Sequence, residues 1–136
     1  MKEELKSPKV ENVSVAVVQE LGEDNVIVYN VYLINEKNEL LENVLVTSKG
    51  YATVAKTEEK LITNTLRRSM GNIEPNSVEQ IEPIMEDVMG LNNEYWVSFW
   101  IGSTMYDKKY IFLSETIKEE NFVNVPIINK KGVLVR

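Results

Sequence analysis

Apolar residues recur at every second position along most of this chain, the spacing that gives a half-buried β-strand one apolar face. Val13, Val15 and Val17 alternate with Ser14 and Ala16, which predicts a first strand over about 12–20. Gly22-Glu23-Asp24-Asn25 has the composition of a turn. The run VIVYNVYLI (26–34) is apolar on both faces and predicts a strand lying centrally in a sheet. Asn35 to Glu39 then reverses the chain, so ENVLVTSKGYA is expected to return as its partner strand, with a bulge or an end at Gly50.

Residues 53–60 are polar and read as an exposed loop, and LITNTLRR (61–68) reads as one shorter strand broken by Met70-Gly71-Asn72. Pro75-Asn76-Ser77 is turn chemistry that launches SVEQIEP as another strand, ended by Pro83 because proline cannot donate to a ladder. MEDVMGLNN is limited to one or two helical turns, closed by Gly90 or Asn92. SETIKEENF is expected to hold a helical turn from Ser114, VNVPIIN to be extended, and Asn129-Lys130-Lys131-Gly132 to turn into the last strand, GVLVR. The expected fold is therefore all-β: an antiparallel β-sandwich, immunoglobulin-like, with seven to eight short strands and at most short helical turns. Residues 1–11 form a polar segment ahead of a single domain over 12–136. A closed barrel is the rival architecture, and strand lengths do not separate the two.

One stretch has apolar bulk on both faces: NEYWVSFWIGSTMYDKKYIFL (93–113). Gly102-Ser103 suits a two-residue hairpin loop of the II′ type, since glycine accepts positive φ at the first central position. That register sets Ile101 opposite Thr104, Phe99 opposite Tyr106, Val97 opposite Lys108 and Tyr95 opposite Tyr110, all on one face. This is the expected core face. The other face carries Trp96, Ser98, Trp100, Met105, Asp107, Lys109 and Ile111. Trp96 stands across from Lys109, which can stack on the indole, and Trp100 across from Met105.

An aromatic side chain buries roughly 150–250 Å², so the second face needs a cover. Residues 83–92 or the tail after 114, folded back over the indoles, are the expected one. A second copy of the chain, a partner protein and a ligand are the alternatives. In those cases Trp96, Trp100, Met105 and Lys109 are the contact residues.

Composition narrows the chemistry. The chain has 136 residues, 43% of them hydrophobic, enough for a single core. Its formal net charge is −6, which opposes nucleic-acid and anionic-membrane partners, because phosphate binding depends on Lys and Arg replacing counterions. Arg67-Arg68 and Lys130-Lys131 make no basic stripe; a grip on a carboxylate or phosphate by the two arginines is a minor candidate. No apolar run approaches the roughly 20 residues of a membrane span, and the start MKEELKSPKVEN has no apolar signal core. A cytoplasmic protein is expected.

The chain has no His and no Cys. Ser-His-Asp triads, Cys-His nucleophiles, His or Cys zinc sites and disulfides cannot be built from it. GxxxxGK[ST], GxGxxG and EF-hand loops are also missing, so no cofactor or metal site is expected. Carboxylates remain. Glu58-Glu59, Glu86-Asp87 and Glu119-Glu120 are adjacent pairs, better explained as solvated loop charge than as a glycosidase or calcium site. Thr47 and Ser48 read as ordinary strand residues.

The phrases NVYLINEKNELLENVLVTSKGY, IEPNSVEQIEP, LNNEYWVSFWI and NKKGVLVR together resemble a family of small Bacteroidetes proteins of about this length. The resemblance spans about residues 10 to 136. It implies no known activity and supplies no catalytic residues. Some members carry the label phenylalanine-tRNA synthetase alpha subunit, but such an enzyme must bind ATP, an amino acid and an acidic tRNA, and a chain this short and acidic is not expected to have that activity. The sequence thus points to a non-catalytic interaction or structural module, a homodimer or protein binder. A carbohydrate binder using the indoles is the alternative, and an enzyme working with carboxylates alone is the third option.

Overall fold

A computed structural model describes residues 8–54, 59–62 and 65–136. Among these residues ten strands form two antiparallel sheets that face each other, the sandwich that the alternating pattern predicts. The first sheet has the order β6-β2-β1-β10-β9, from β1 (Val13–Leu21), β2 (Ile27–Asn35), β6 (Ser77–Ile84), β9 (Val123–Val125) and β10 (Lys130–Val135). The second has the order β4-β3-β7-β8, from β3 (Leu41–Val54), β4 (Glu59–Ile62), β7 (Asn92–Ile101) and β8 (Thr104–Phe112), with β5 (Leu66–Ile73) also paired to β3. The helical content among the described residues is two short 3₁₀ turns, at Glu86–Val88 and Glu119–Asn121, while the turn at Glu23–Asn25 holds Asp24 and Asn25 at positive φ. Among those residues no helix is long and apolar enough to cross a membrane.

Several expectations need correction. ENVLVTSKGYA does not pair back on β2; β3 crosses to the other sheet. The reason is Asn35, fully buried at the corner. Its amide nitrogen donates to the carbonyls of Glu39 (3.0 Å) and Glu74 (2.9 Å), and its side-chain oxygen accepts from the Lys37 N–H (2.9 Å). Those bonds fasten the end of β2 to the start of β3 and to the β5–β6 turn, redirecting the chain. Gly50 neither ends nor bulges β3, which pairs with β5 up to Ser48 and with β4 from Tyr51.

LITNTLRR is not one strand: Leu61 and Ile62 close β4, and Leu66 opens β5. Within the expected loop 53–60, Thr53-Val54 and Glu59-Lys60 belong to β3 and β4, while 55–58 lie outside the described residues, as do 1–7 of the polar segment. Gly71 does not break β5. It takes φ +70° opposite Val44, where the pairing with β3 slips, a bulge that glycine permits. Pro83 lies within β6, opposite Asn30, because an edge strand tolerates a missing N–H. The last turn spans 126–129, and Lys130 to Gly132 already belong to β10. Ten strands replace seven or eight because β4, β5 and β9 are separate short pieces.

The core fills the space between the sheets. Val15, Val17 and Leu33 from the first sheet meet Val46, Tyr95, Val97, Phe99, Tyr110 and Phe112 from the second. Tyr95 and Phe112 pack edge to face at 6.0 Å, and Phe99 stacks on Tyr106 at 5.3 Å. The Tyr110 hydroxyl crosses the layer and donates to the Val13 carbonyl at 2.7 Å. A smaller cluster covers the outer face of the first sheet, where Ala16, Val18, Ile34 and Val125 are buried beside Tyr32, Val78, Ile128 and Leu134. β1 is consequently apolar and buried on both sides from Val13 to Val18, apart from Ser14.

Gly132 sits opposite Val18 at the centre of this arrangement, and a Cβ there would stand 2.2 Å from the Val17 carbonyl oxygen. Gly132→Ala is expected to cost about 2–4 kcal/mol, since backbone rather than a flexible side chain must yield. Tyr110→Phe, which strands a buried carbonyl, is expected to cost about 1–3 kcal/mol. Urea unfolding of the two variants measures both.

Candidate functional site

The hairpin of β7 and β8 has the register that its loop predicts. Phe99 lies opposite Tyr106, Tyr95 opposite Tyr110, Trp96 opposite Lys109 and Trp100 opposite Met105. Gly102 has φ +61° and Ser103 does not enter the left-handed region, as a II′ loop requires. Tyr95, Val97, Phe99 and Tyr110 are buried, so the core face is the expected one.

The outer face departs from expectation. Neither residues 83–92 nor the tail after 114 covers it. Trp96 is 44% exposed, Trp100 39%, Met105 47% and Leu45 on neighbouring β3 41%. The short turn at Glu86–Val88 instead lies at one end of the sandwich, where the Asn93 amide holds it by donating to the carbonyls of Val88 (3.0 Å) and Leu91 (3.1 Å). The tail after Leu113 is drawn to the same end, with the Ser114 N–H donating to Asn92 Oδ1 (2.8 Å) and its hydroxyl to the Gly90 carbonyl (2.7 Å).

Four strands align their side chains in a row across this face: Arg67, Thr47, Trp96 and Lys109. The Lys109 ammonium lies 4.8 Å from the centre of the Trp96 ring, a contact worth about 0.5–1 kcal/mol at an exposed site. The next row brings Leu45, Ser98 and Asp107 together, and Trp100 with Met105 closes the patch toward the hairpin loop. A depression of about 300 Å³ beside Trp96 is lined by Leu45, Thr47, Arg67, Ser98, Met105 and Asp107. Of the four contact residues expected from the sequence, Trp96 and Met105 border this hollow, Lys109 stacks on Trp96, and Trp100 flanks Met105.

The other sequence candidates scatter. Arg67 shares the Trp96 face, whereas Arg68 is level with Val46 on the opposite side, so the two cannot grip one ligand. Glu86-Asp87 and Glu119-Glu120 are exposed on separate short turns, and Glu58 lies outside the described residues. Among the described residues no group of three or more His, Cys, Asp or Glu side chains could hold a metal ion.

Two carboxylates that the sequence did not single out have built surroundings. Glu20, on the outer face of the first sheet, accepts from Lys130 (2.6 Å), Asn30 (2.7 Å) and the Tyr32 hydroxyl (2.7 Å). Burial alone would raise its pKa, but the bonds from Lys130, Asn30 and Tyr32 outweigh it and hold the carboxyl below its usual range. Glu82 accepts from the Tyr95 hydroxyl (3.1 Å) and more distantly from Ser48 Oγ (3.4 Å). No protein-family model, curated protein or solved structure matches this chain.

Burial, reinforced by the Glu82 charge and hydrogen bond, pushes the Tyr95 phenol far above its usual range. Burial pushes Tyr110 up as well, and burial with Glu20 pushes Tyr32 up to about 12. Between the ordinary phenol value of 10 and these raised values, the folded chain holds protons that the unfolded chain has lost. Stability from these phenols is therefore complete below pH 10 and falls as pH rises toward 12 and beyond. Phenolate absorbance during alkaline titration should show these three tyrosines ionising only as the fold is lost, with circular dichroism changing in step.

Proposed function

We propose that the protein is a non-catalytic interaction module that associates through the outer face of its second sheet, first with a second copy of itself. The observation that carries this reading is the exposed patch of Trp96, Trp100, Met105 and Leu45 on one sheet face. With aromatic side chains of roughly 150–250 Å², two indoles at these exposures leave on the order of 150–200 Å² of ring in water. Trp, Met and Arg are the residues enriched at the centre of protein interfaces. The patch also carries both signs of charge, Arg67 and Lys109 beside Asp107, as a two-fold contact between identical surfaces requires.

Within this proposal the sandwich is taken as immunoglobulin-like, on the strength of its two antiparallel layers. The resemblance to the Bacteroidetes family is taken as kinship. A carbohydrate-binding role is the second reading. It is favoured by the hollow beside Trp96, where Thr47, Ser98, Asp107 and Arg67 offer hydrogen bonds around an indole.

The double variant Trp96→Ser, Trp100→Ser is expected to stay folded but to melt a few degrees lower, because it loses the stabilisation that self-association and the Lys109 contact give the wild type. Its mass by light scattering should be that of a monomer where the wild type is a dimer. A wild-type monomer at every concentration removes the self-association reading. Saturable enhancement of tryptophan emission by one member of a glycan panel would then favour the carbohydrate reading.

A further inference from the structure

We propose that the cavity at one end of the sandwich, floored by Glu82, binds a small primary amine with an apolar body. The site lies apart from the Trp96 face and does not rest on the function proposed above. Its geometry begins with a slip in β6. The pairing with β2 matches Val31 with Glu82 and then Tyr32 with Gln80, leaving Ile81 as the extra residue. Bulges re-aim side chains. Val31 faces the core, so Glu82, level with it, points into the layer between the sheets, where alternation from buried Ile81 would have sent it to solvent.

The partners that Glu82 finds there are neutral. Ser48 and Tyr95, both buried, donate hydroxyls to it. Among the described residues no Lys or Arg forms an ion pair with it, and Lys49, which also lines the cavity, pairs with Glu94 at 4.0 Å. A carboxylate offers about four lone-pair sites, so acceptor capacity and a full negative charge are left over.

The cavity measures about 360 Å³, the size of a small-molecule site. Its walls are largely apolar, with Leu66, Pro83, Ile84, Met85 and Val88. An ammonium supplies the missing positive charge and up to three donors to the floor, while an alkyl or aryl body covers the walls. A carboxylate ligand would meet like charge, and an alcohol would bring one donor and no positive charge.

Calorimetry and amide NMR with phenethylamine, phenethyl alcohol and hydrocinnamate test the site on the full chain. Phenethylamine is expected to saturate, shifting Ser48, Gly50, Val88 and Tyr95. The alcohol should bind about tenfold more weakly, the difference a charge-assisted hydrogen bond makes, and hydrocinnamate should not bind. Glu82→Gln, which keeps the side chain's shape, should lose about tenfold toward the amine and much less toward the alcohol, which brings no charge of its own. The Trp96→Ser, Trp100→Ser variant should bind the amine as the wild type does. Equal binding of amine and alcohol, shifts confined to the Trp96 face, or an unaltered amine affinity in Glu82→Gln would overturn the assignment. The amine–alcohol comparison needs no variant, so it decides even if Glu82→Gln fails to fold.

Discussion

Successive side chains of a strand project from opposite sides of its sheet, and in β7 that alternation leaves the chain no freedom. Tyr95, Val97 and Phe99 fill the space between the layers, against Tyr110 and Phe112 of β8. Rotating the strand to hide Trp96 and Trp100 would expose all of them and pull the Tyr110 hydroxyl off the Val13 carbonyl. With none of the described residues folded over the second sheet, the strand that buries one set of rings displays the other. The outward indoles are therefore a consequence of how the core is made, and the polar side chains around them, Thr47, Ser98 and Asp107, are what keep the face compatible with water.

The hairpin was legible because its determinants are local. Gly102-Ser103 specifies the loop, the loop specifies the register, and the register decides which residues face inward. The same applies to β1 and to the turn at Pro75-Asn76, where Asn76 takes φ +50°. The passage of β3 to the other sheet was not legible, because it depends on one polar side chain in a turn finding carbonyls 4 and 39 residues away. Composition cannot show that. Nor could it show that LITNTLRR divides between two strands, since both halves pair with a single long neighbour. The expected cover over Trp96 failed for a related reason. Asn92 and Asn93, at the junction of the helical turn and the aromatic stretch, anchor both candidate segments at the end of the sandwich through their side chains.

Glu82 was hidden in the sequence by periodicity itself. Val78 and Ile81 stand three apart in SVEQIEP, and a regular strand that buries Ile81 would send Glu82 to solvent; the slip opposite Val31 and Tyr32 reverses it. Comparison with Glu20 sharpens what is unusual. Both carboxylates accept a tyrosine hydroxyl, but Glu20 also has the Lys130 ammonium and the Asn30 amide, a closed set of partners. Glu82 has hydroxyls alone and a cavity above it. Of these two carboxylates, Glu20 is paired with a cation, and Glu82 has no ion-pair partner among the described residues.

The pairing of β1 with β10 has a mechanical corollary. Val15 lies opposite Val135 and Val18 opposite Gly132, so the start of β1 and the end of β10 emerge side by side at the same edge of the sandwich. A tensile load applied through those two points would run perpendicular to the strands. The ladder bonds between them would then break one after another, like a zipper, instead of sharing the force. Pulled in that direction the sandwich yields softly, however well its interior is packed, whereas a load drawn lengthwise along β3 and β7 from opposite ends, where the two pair over most of their length, would meet many bonds at once.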